Sequence, residues 1–319
     1  RALQMLQAAD SAGSQPPPPK IQLIIFGDSW CKADAHTRTW PELLGERLGW
    51  RTINVAIPGS DSRMLSRQCD LLLAVLRRRQ LELHEDAWVL IHTGGNDLMS
   101  SHPRQLFGFV GAALGRLLCC GLPVNACCGP VPVVQDVADN VQALMSRLHA
   151  TLGLRNVILV GMPLTTSTPM VEHMVRLLLG EGACVGSLGA YTLRNLNAVH
   201  ITKLRQLRPD GDPGGNGSDS TTHLARSAEG RVVCLDEAAA IDAAVAADVG
   251  GREGEFVALG NFDSLWHDPI HPSQRCHEAL SEEFLIRFRQ ALDQPTTGRA
   301  GRSLSEAGRL TLPILNDAT

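Results

Sequence analysis

The chain has 319 residues, 44% hydrophobic and 19% charged, which is ordinary for a soluble globular protein and allows one large α/β domain or two small ones. Its formal net charge of −4 and its pI of about 6.3 exclude a global basic surface for nucleic acid. The most apolar segment, residues 106–134, is interrupted by arginine, asparagine and proline, so we expect a soluble chain with no transmembrane span.

The cysteines and the start of the chain leave the compartment open. Nine cysteines are an odd number, so at least one is unpaired within the chain, and the disulfide state of the others stays undecided. The vicinal pairs at 119–120 and 127–128 lack zinc-ligand spacing, and no metal or cofactor is expected. No secretory signal is evident, and because the first residue is Arg1, removal of a presequence or a preceding domain is an open alternative.

Short apolar runs alternate with helical patterns along most of the chain. The runs are aliphatic or β-branched and predict five buried strands, at 21–26, 52–57, 87–92, 156–160 and 231–235. Helices are predicted between and after them, at 41–48, 62–79, 134–152, 168–180, 188–207, 238–247 and 272–292. This alternation predicts right-handed crossovers and a parallel sheet covered by helices.

The predicted domain covers residues 21–292. Residues 1–20 form an N-terminal segment, compatible with a short amphipathic helix at 1–11 and ending in a stiff proline-rich linker at 14–19. Residues 208–230 are rich in Gly, Asp and Ser and predict a mobile surface insertion, and residues 293–319 predict a loosely attached tail.

A serine directly follows the first predicted strand, within Gly27-Asp28-Ser29-Trp30. Ligands of open parallel sheets bind at the carboxyl ends of the strands, so this serine lies where chemistry normally occurs. Gly, Asp and Ser are also common turn and cap residues, so a plain loop is the alternative interpretation at this point.

Two further motifs follow the second and third predicted strands. Gly59 permits close backbone approach, so that its N–H could reach an oxyanion. Asn96, in the sequence TGGND at 93–97, carries a side-chain amide that is a suitable oxyanion donor. Each of them alone also fits an ordinary turn.

Asp268 and His271 lie three residues apart on the loop before the last predicted helix. A carboxylate at this spacing can orient an imidazole and stabilise its charged form, which leaves the other ring nitrogen for a serine. Pro272 and Ser273 suit a helix start, so a capping loop with an incidental histidine is the alternative.

In this order, the four motifs resemble the conserved blocks of the SGNH (GDSL-like lipase/esterase) hydrolase family, and the resemblance spans residues 21 to about 292. It implies a three-layer α/β/α sandwich with a five-stranded parallel sheet of flavodoxin-like topology. It also implies hydrolysis of carboxylic esters through an acyl-enzyme by a Ser-His-Asp triad.

The resemblance assigns a role to each matching residue. Ser29 would be the nucleophile, His271 the general base and then acid, and Asp268 the residue that orients His271. The backbone N–H groups of Ser29 and Gly59, with the Asn96 side chain, would form the oxyanion hole.

Other residues near these motifs have less specific expectations. Trp30 stands where many members of the family have Leu, and it would either shape the substrate pocket or simply pack. His267, beside the expected Asp–His pair, is a possible pocket residue. We interpret His92 and His200 as structural or surface groups. Residues 99–134 would form either a core helix or an acyl-binding wall.

The expected partner is a small-molecule ester, and the acyl and alcohol parts, the compartment and the oligomeric state stay open. An acyltransferase that uses the same triad is one alternative function. A non-catalytic SGNH-like domain of a larger protein is another, suggested by the missing Met and the proline-rich linker.

Overall fold

The computed structural model of the protein describes residues 20–32, 37–100, 132–163, 197–207, 230–249, 265–267 and 271–293. Five strands are present in these ranges: β1 (Ile21–Phe26), β2 (Thr52–Asn54), β3 (Leu83–His92), β4 (Asn156–Val160) and β5 (Val232–Leu235). The helices are α1 (Trp40–Arg47), α2 (Leu65–Arg79), α3 (Gly95–Ser100), α4 (Pro132–Leu152), α5 (197–204), α6 (Glu237–Val249) and α7 (Gln274–Asp293).

Several expectations lie outside the described residues. They concern the N-terminal segment before residue 20, the helix at 168–180, the insertion at 208–229, the tail from 294 onward and the apolar segment at 101–131. The proposed domain limits therefore stay predictions.

The five strands form one parallel sheet in the order β2-β1-β3-β4-β5. This is the flavodoxin-like order, in which the chain first steps outward from β1 to β2 and then returns to place β3 on the other side of β1. The reversal between β1 and β3 opens a crevice at their carboxyl ends, where ligands of this fold bind. The predicted parallel α/β fold is confirmed.

Helices cover both faces of the sheet, which gives three layers. On β1, Ile24 and Phe26 face one core and Leu23 and Ile25 face the other, because side chains alternate along a strand. The first core is completed by α2, α4 and α5, and the second by α1, α6 and α7. The apolar parts of β1, β3 and β4 are therefore buried on both sides, as their sequences predict, whereas the three residues of the edge strand β2 are half-buried.

The boundaries of β2 and β3 differ by several residues from the prediction, and β5 begins one residue later than predicted, at Val232. β3 begins at Leu83, before Ala87, because its first residues extend beyond the core; Glu85 and Asp86 are exposed and hide the strand pattern. β2 ends at Asn54, before the predicted end at residue 57, since the Asn54 side chain accepts a hydrogen bond from Ala56 N. The chain after β2 continues alongside the end of β1, because Ile57 N donates a hydrogen bond to the Gly27 carbonyl.

Candidate active site

Ser29 lies in a tight turn at the carboxyl end of β1. The Asp28 carbonyl accepts hydrogen bonds from Cys31 N and Lys32 N, both at 3.1 Å, and the Asp28 side chain accepts one from Trp30 N at 2.9 Å. Only glycine fits before this turn, because a Cβ at Gly27 would lie 2.6 Å from the Cys31 sulfur. The turn therefore holds Ser29 at the edge of the buried sheet.

His271 lies next to this serine, although 242 residues separate the two in sequence. Its Nε2 is 3.1 Å from Ser29 Oγ, within hydrogen-bond distance. The two short segments around it pair with each other: His267 N donates to the His271 carbonyl at 2.9 Å, and Ser273 N donates to the Leu265 carbonyl at 2.8 Å. This pairing presents the imidazole to the serine. Asp268 lies outside the described residues.

Asn96, in the first turn of α3, joins the loops that follow β1 and β2. Its Nδ2 donates to the Ser60 carbonyl at 2.9 Å and to Asp28 Oδ2 at 3.3 Å. Gly59 precedes Ser60 in a turn with φ +74°, a left-handed conformation that favours glycine. The structure thus joins Asn96 and the Gly59 loop to the Ser29 turn, and Asp28 is the residue that links them.

A buried glutamine, which the sequence did not single out, clamps the backbone before Ser29. Gln68 on α2 accepts from Gly27 N at 3.0 Å and donates to the Gly27 carbonyl at 2.8 Å. Ser60 Oγ donates to the same carbonyl at 3.0 Å. Gln68 is fully buried, and its polarity on the inward face of an amphipathic helix is the sequence signal that could have found it.

A cavity of about 480 Å³ opens beside the serine. Its described lining includes Ser29, Lys32, His267, His271, Gln274 and His277. His267 therefore lines the cavity together with His271. His277 was not anticipated as part of the site. It lies on the first turn of α7, and the start of a helix that follows an expected base is a place to search for such a residue.

Of the two roles expected for Trp30, shaping the pocket or packing, its position in the structure fits packing. Only 3% of its surface is exposed, and its ring stacks on His92 at 6.0 Å and tilts against Trp266 at 5.8 Å between ring centroids. It packs in the second core, because the turn at Asp28 directs it inward, away from the described lining of the cavity.

Burial keeps two nearby groups uncharged near neutral pH. The pKa of His277 is lowered to about 4, mainly by burial, and its Nδ1 accepts a hydrogen bond from Trp40 N. Burial also raises the pKa of the Cys31 thiol to about 11, so this cysteine is not a competing thiolate nucleophile.

The described ranges contain no group of three or more His, Cys, Asp or Glu side chains arranged to hold a metal ion. Within those same ranges, none of the helices combines the length and the apolar character that crossing a membrane requires.

The fold and the site define a doubly wound α/β protein with a serine–histidine pair at the carboxyl edge of its sheet. Residues 25–181 match the family model of the GDSL-like lipase/acylhydrolase family. This match confirms the resemblance to the family that the sequence motifs predict. No curated protein matches the chain.

Solved structures with similarity to the chain include three hydrolases. Esterase EstA from Pseudoalteromonas sp. is 14% identical, with 85% of this chain and 98% of that chain covered and a TM-score of 0.41. Phospholipase A1 from Streptomyces albidoflavus NA297 is 16% identical, with 86% and 100% covered and a TM-score of 0.43. The lipase Lip_vut3 from a goat rumen metagenome is 14% identical, with 85% and 97% covered and a TM-score of 0.41.

Proposed function

We propose that this protein hydrolyses small carboxylic esters through an acyl-enzyme, with Ser29 as nucleophile and His271 as its base. The observation that carries the proposal is the 3.1 Å distance between Ser29 Oγ and His271 Nε2. A serine hydroxyl is a weak nucleophile until a neighbouring base takes its proton, and this distance allows that transfer. The match of residues 25–181 to a lipase and acylhydrolase family model supports the same chemistry.

In the first half-reaction, Ser29 Oγ attacks the ester carbonyl carbon while His271 Nε2 takes the hydroxyl proton. The tetrahedral intermediate collapses with cleavage of the bond to the alcohol oxygen, and His271 returns the proton to that oxygen. The alcohol leaves, and the acyl group stays on Ser29. Water then attacks the acyl-enzyme with His271 as base, which releases the acid and restores the serine.

The remaining roles follow the family pattern and support the same proposal. Asp268 would orient His271 and stabilise its charged form. The backbone N–H groups of Ser29 and Gly59 and the Asn96 amide would stabilise the oxyanion. Asn96 now donates to Ser60 and Asp28, so one of these N–H groups must turn toward the substrate for this role.

The test is a series of p-nitrophenyl esters from acetate to palmitate, given to the wild type and to Ser29→Ala. We expect the alanine variant to lose turnover of every ester by a factor of about 10³ or more, because the nucleophile is absent. Ser66→Ala is the matched control, since it removes an exposed serine on α2 that lies away from the cavity. Turnover retained by Ser29→Ala would overturn the proposal.

The same series with an added alcohol separates hydrolysis from acyl transfer. We expect the free acid as the main product, with water as the acceptor. A transferred ester as the main product would assign the site to an acyltransferase instead.

A further inference from the structure

A buried ion pair lies directly behind the Ser29 turn and has no part in the proposed triad. His92 ends β3 with 2% of its surface exposed, and Glu237 opens α6 with 0% exposed. His92 Nε2 lies 3.0 Å and 2.9 Å from the two carboxylate oxygens of Glu237. The pair joins the carboxyl end of the central strand β3 to the start of α6, the helix that follows the edge strand β5.

The other nitrogen of His92 faces the nucleophile turn. Nδ1 lies 3.5 Å from Asp28 Oδ1, an ion-pair contact that is too long for an ordinary hydrogen bond. Asp28 in turn accepts from Trp30 N, which shapes the turn, and from the Asn96 amide. A chain of contacts therefore runs from Glu237 through His92 to Asp28, where it reaches both the nucleophile and the proposed oxyanion donor.

The surroundings fix both the charge and the orientation of the His92 ring. Burial opposes the charged form, but Glu237 foremost, and then Cys31 and Asp28, outweigh it, so the pKa of His92 is raised well above its ordinary value. Burial also raises the pKa of Glu237, and His92 opposes that rise. The other titratable neighbours are Cys31, whose thiol pKa burial raises to about 11, and His200 and His277, whose pKa values burial lowers to about 4. The His92 ring thus lies between the acidic side chains of Glu237 and Asp28 and is the member of the group that favours the proton.

Aromatic packing holds the ring plane. Trp30 stacks on His92 at 6.0 Å with 18° between the rings, and Trp40 meets it edge-on at 6.0 Å. A ring held by two tryptophans and by Glu237 has one orientation, so its Nδ1 can only face Asp28.

We propose that His92 and Glu237 are positioning residues that hold Asp28, and through it the Ser29 turn and the Asn96 amide, in the geometry that catalysis requires. This inference rests on the proposed esterase function. A buried ion pair is weak evidence for stability, since well-packed apolar residues often serve as well or better. A role at the site accounts for a charged pair in the core directly behind the nucleophile.

The first variant is Glu237→Gln, which keeps the shape of the side chain and removes its charge. We expect kcat for p-nitrophenyl acetate to fall by roughly tenfold to a hundredfold with KM within about twofold, because small displacements of reacting groups cost rate rather than binding. Asp236→Asn is the matched control. It removes the neighbouring carboxylate, which bonds Asn197 and Ala239 N and does not contact His92, so kcat should be unchanged.

The second variant separates positioning from simple stability. In the double variant His92→Leu with Glu237→Leu, both charges leave the core together, so we expect a folded protein with a cooperative melt. Its kcat should stay as low as that of Glu237→Gln, because Asp28 has lost its partner. A stable double variant with wild-type kcat would overturn the inference, as would a loss confined to KM.

The two proposals fail in different ways. Full activity in Ser29→Ala removes the proposed function itself. Loss of activity in Ser29→Ala together with full activity in Glu237→Gln keeps the esterase and removes only the role of His92 and Glu237.

Discussion

Asp28 connects more parts of the site than any catalytic candidate does, although it takes no proton in the proposed reaction. It is 3% exposed and bonds the turn of Ser29 on one side and the amide of Asn96 on the other. The proposed nucleophile and the proposed oxyanion donor therefore share Asp28 as a hydrogen-bond partner of their segments. We therefore expect a substitution at either of them to change kcat more than KM.

Replacing Asn96 tests the oxyanion assignment. We expect Asn96→Ala to lower kcat by about 10²–10³, the usual cost of removing one oxyanion donor, with a smaller change in KM. Asn140→Ala is the control: it removes an amide of the same size, bonded to Ser62 Oγ at 2.8 Å, and should cost less than about tenfold. Wild-type kcat in Asn96→Ala would remove Asn96 from the proposed oxyanion hole.

At the scale of elements, α7 directly follows and supports the loop that carries His271. It starts at Gln274, just after the short pairing of residues 265–267 with 271–273, and its inner face packs Phe284 against Trp40 at 4.3 Å between ring centroids. His277 on its first turn also lines the cavity. The helix therefore supports both the His271 loop and one wall of the cavity.

One buried and one exposed apolar residue on α7 give a matched test of stability. Phe284 is fully buried, so we expect Phe284→Ala to lower the free energy of unfolding by about 3–5 kcal/mol. Ile286 is 51% exposed on the same helix, and Ile286→Ala should change it by less than about 0.5 kcal/mol. Urea unfolding measures both. Equal losses in the two variants would contradict the burial of this face.

Sequence patterns predicted those elements whose burial is uniform. β1 and β4 have the predicted bounds, because each is a short apolar run that is directly followed by a glycine, Gly27 or Gly161. The start of β3 was not predictable, because Glu85 and Asp86 extend beyond the core and interrupt the apolar run. Serine, asparagine and histidine motifs could be predicted from their positions after strands or before a helix.

The contact between His92 and Glu237 could not be predicted in the same way. The two residues are 145 positions apart, and neither lies in a motif. A histidine at a strand end and a glutamate at a helix start each have an ordinary local explanation, so only the packing of α6 on the sheet reveals the pair. Trp30 was ambiguous for a related reason, since its neighbours His92 and Trp266 are also distant in sequence.

At the scale of the whole molecule, the two cores hold histidines of opposite character. His92 is charged by its carboxylate partners, whereas burial lowers the pKa of His200 to about 4 and keeps that ring neutral. An unfolded histidine titrates near 6.5, so the unfolded chain binds a proton between pH 6.5 and 4 that folded His200 does not bind. The stability that neutral His200 permits is present above pH 6.5 and is lost as pH falls toward 4.

The pH dependence of unfolding tests this burial. His200 Nδ1 accepts a hydrogen bond from Met162 N, and a glutamine side chain offers an oxygen in its place. We expect His200→Gln to lose about 2–3 kcal/mol less stability than the wild type between pH 7 and pH 4.5, at about 1.4 kcal/mol per pKa unit. Urea unfolding at the two pH values gives the difference. Identical pH dependence in both proteins would show that His200 is not held neutral.

The most direct measurement of the role of Ser29 is covalent labelling by a fluorophosphonate, which forms a bond from serine Oγ to phosphorus and releases fluoride. Peptide mass mapping locates the adduct. We expect one adduct on Ser29 in the wild type, labelling slowed by a factor of about 10² or more in His271→Ala, and none in Ser29→Ala. An adduct on another residue, or rapid labelling that does not depend on His271, would contradict the assignment of Ser29 as a nucleophile activated by His271.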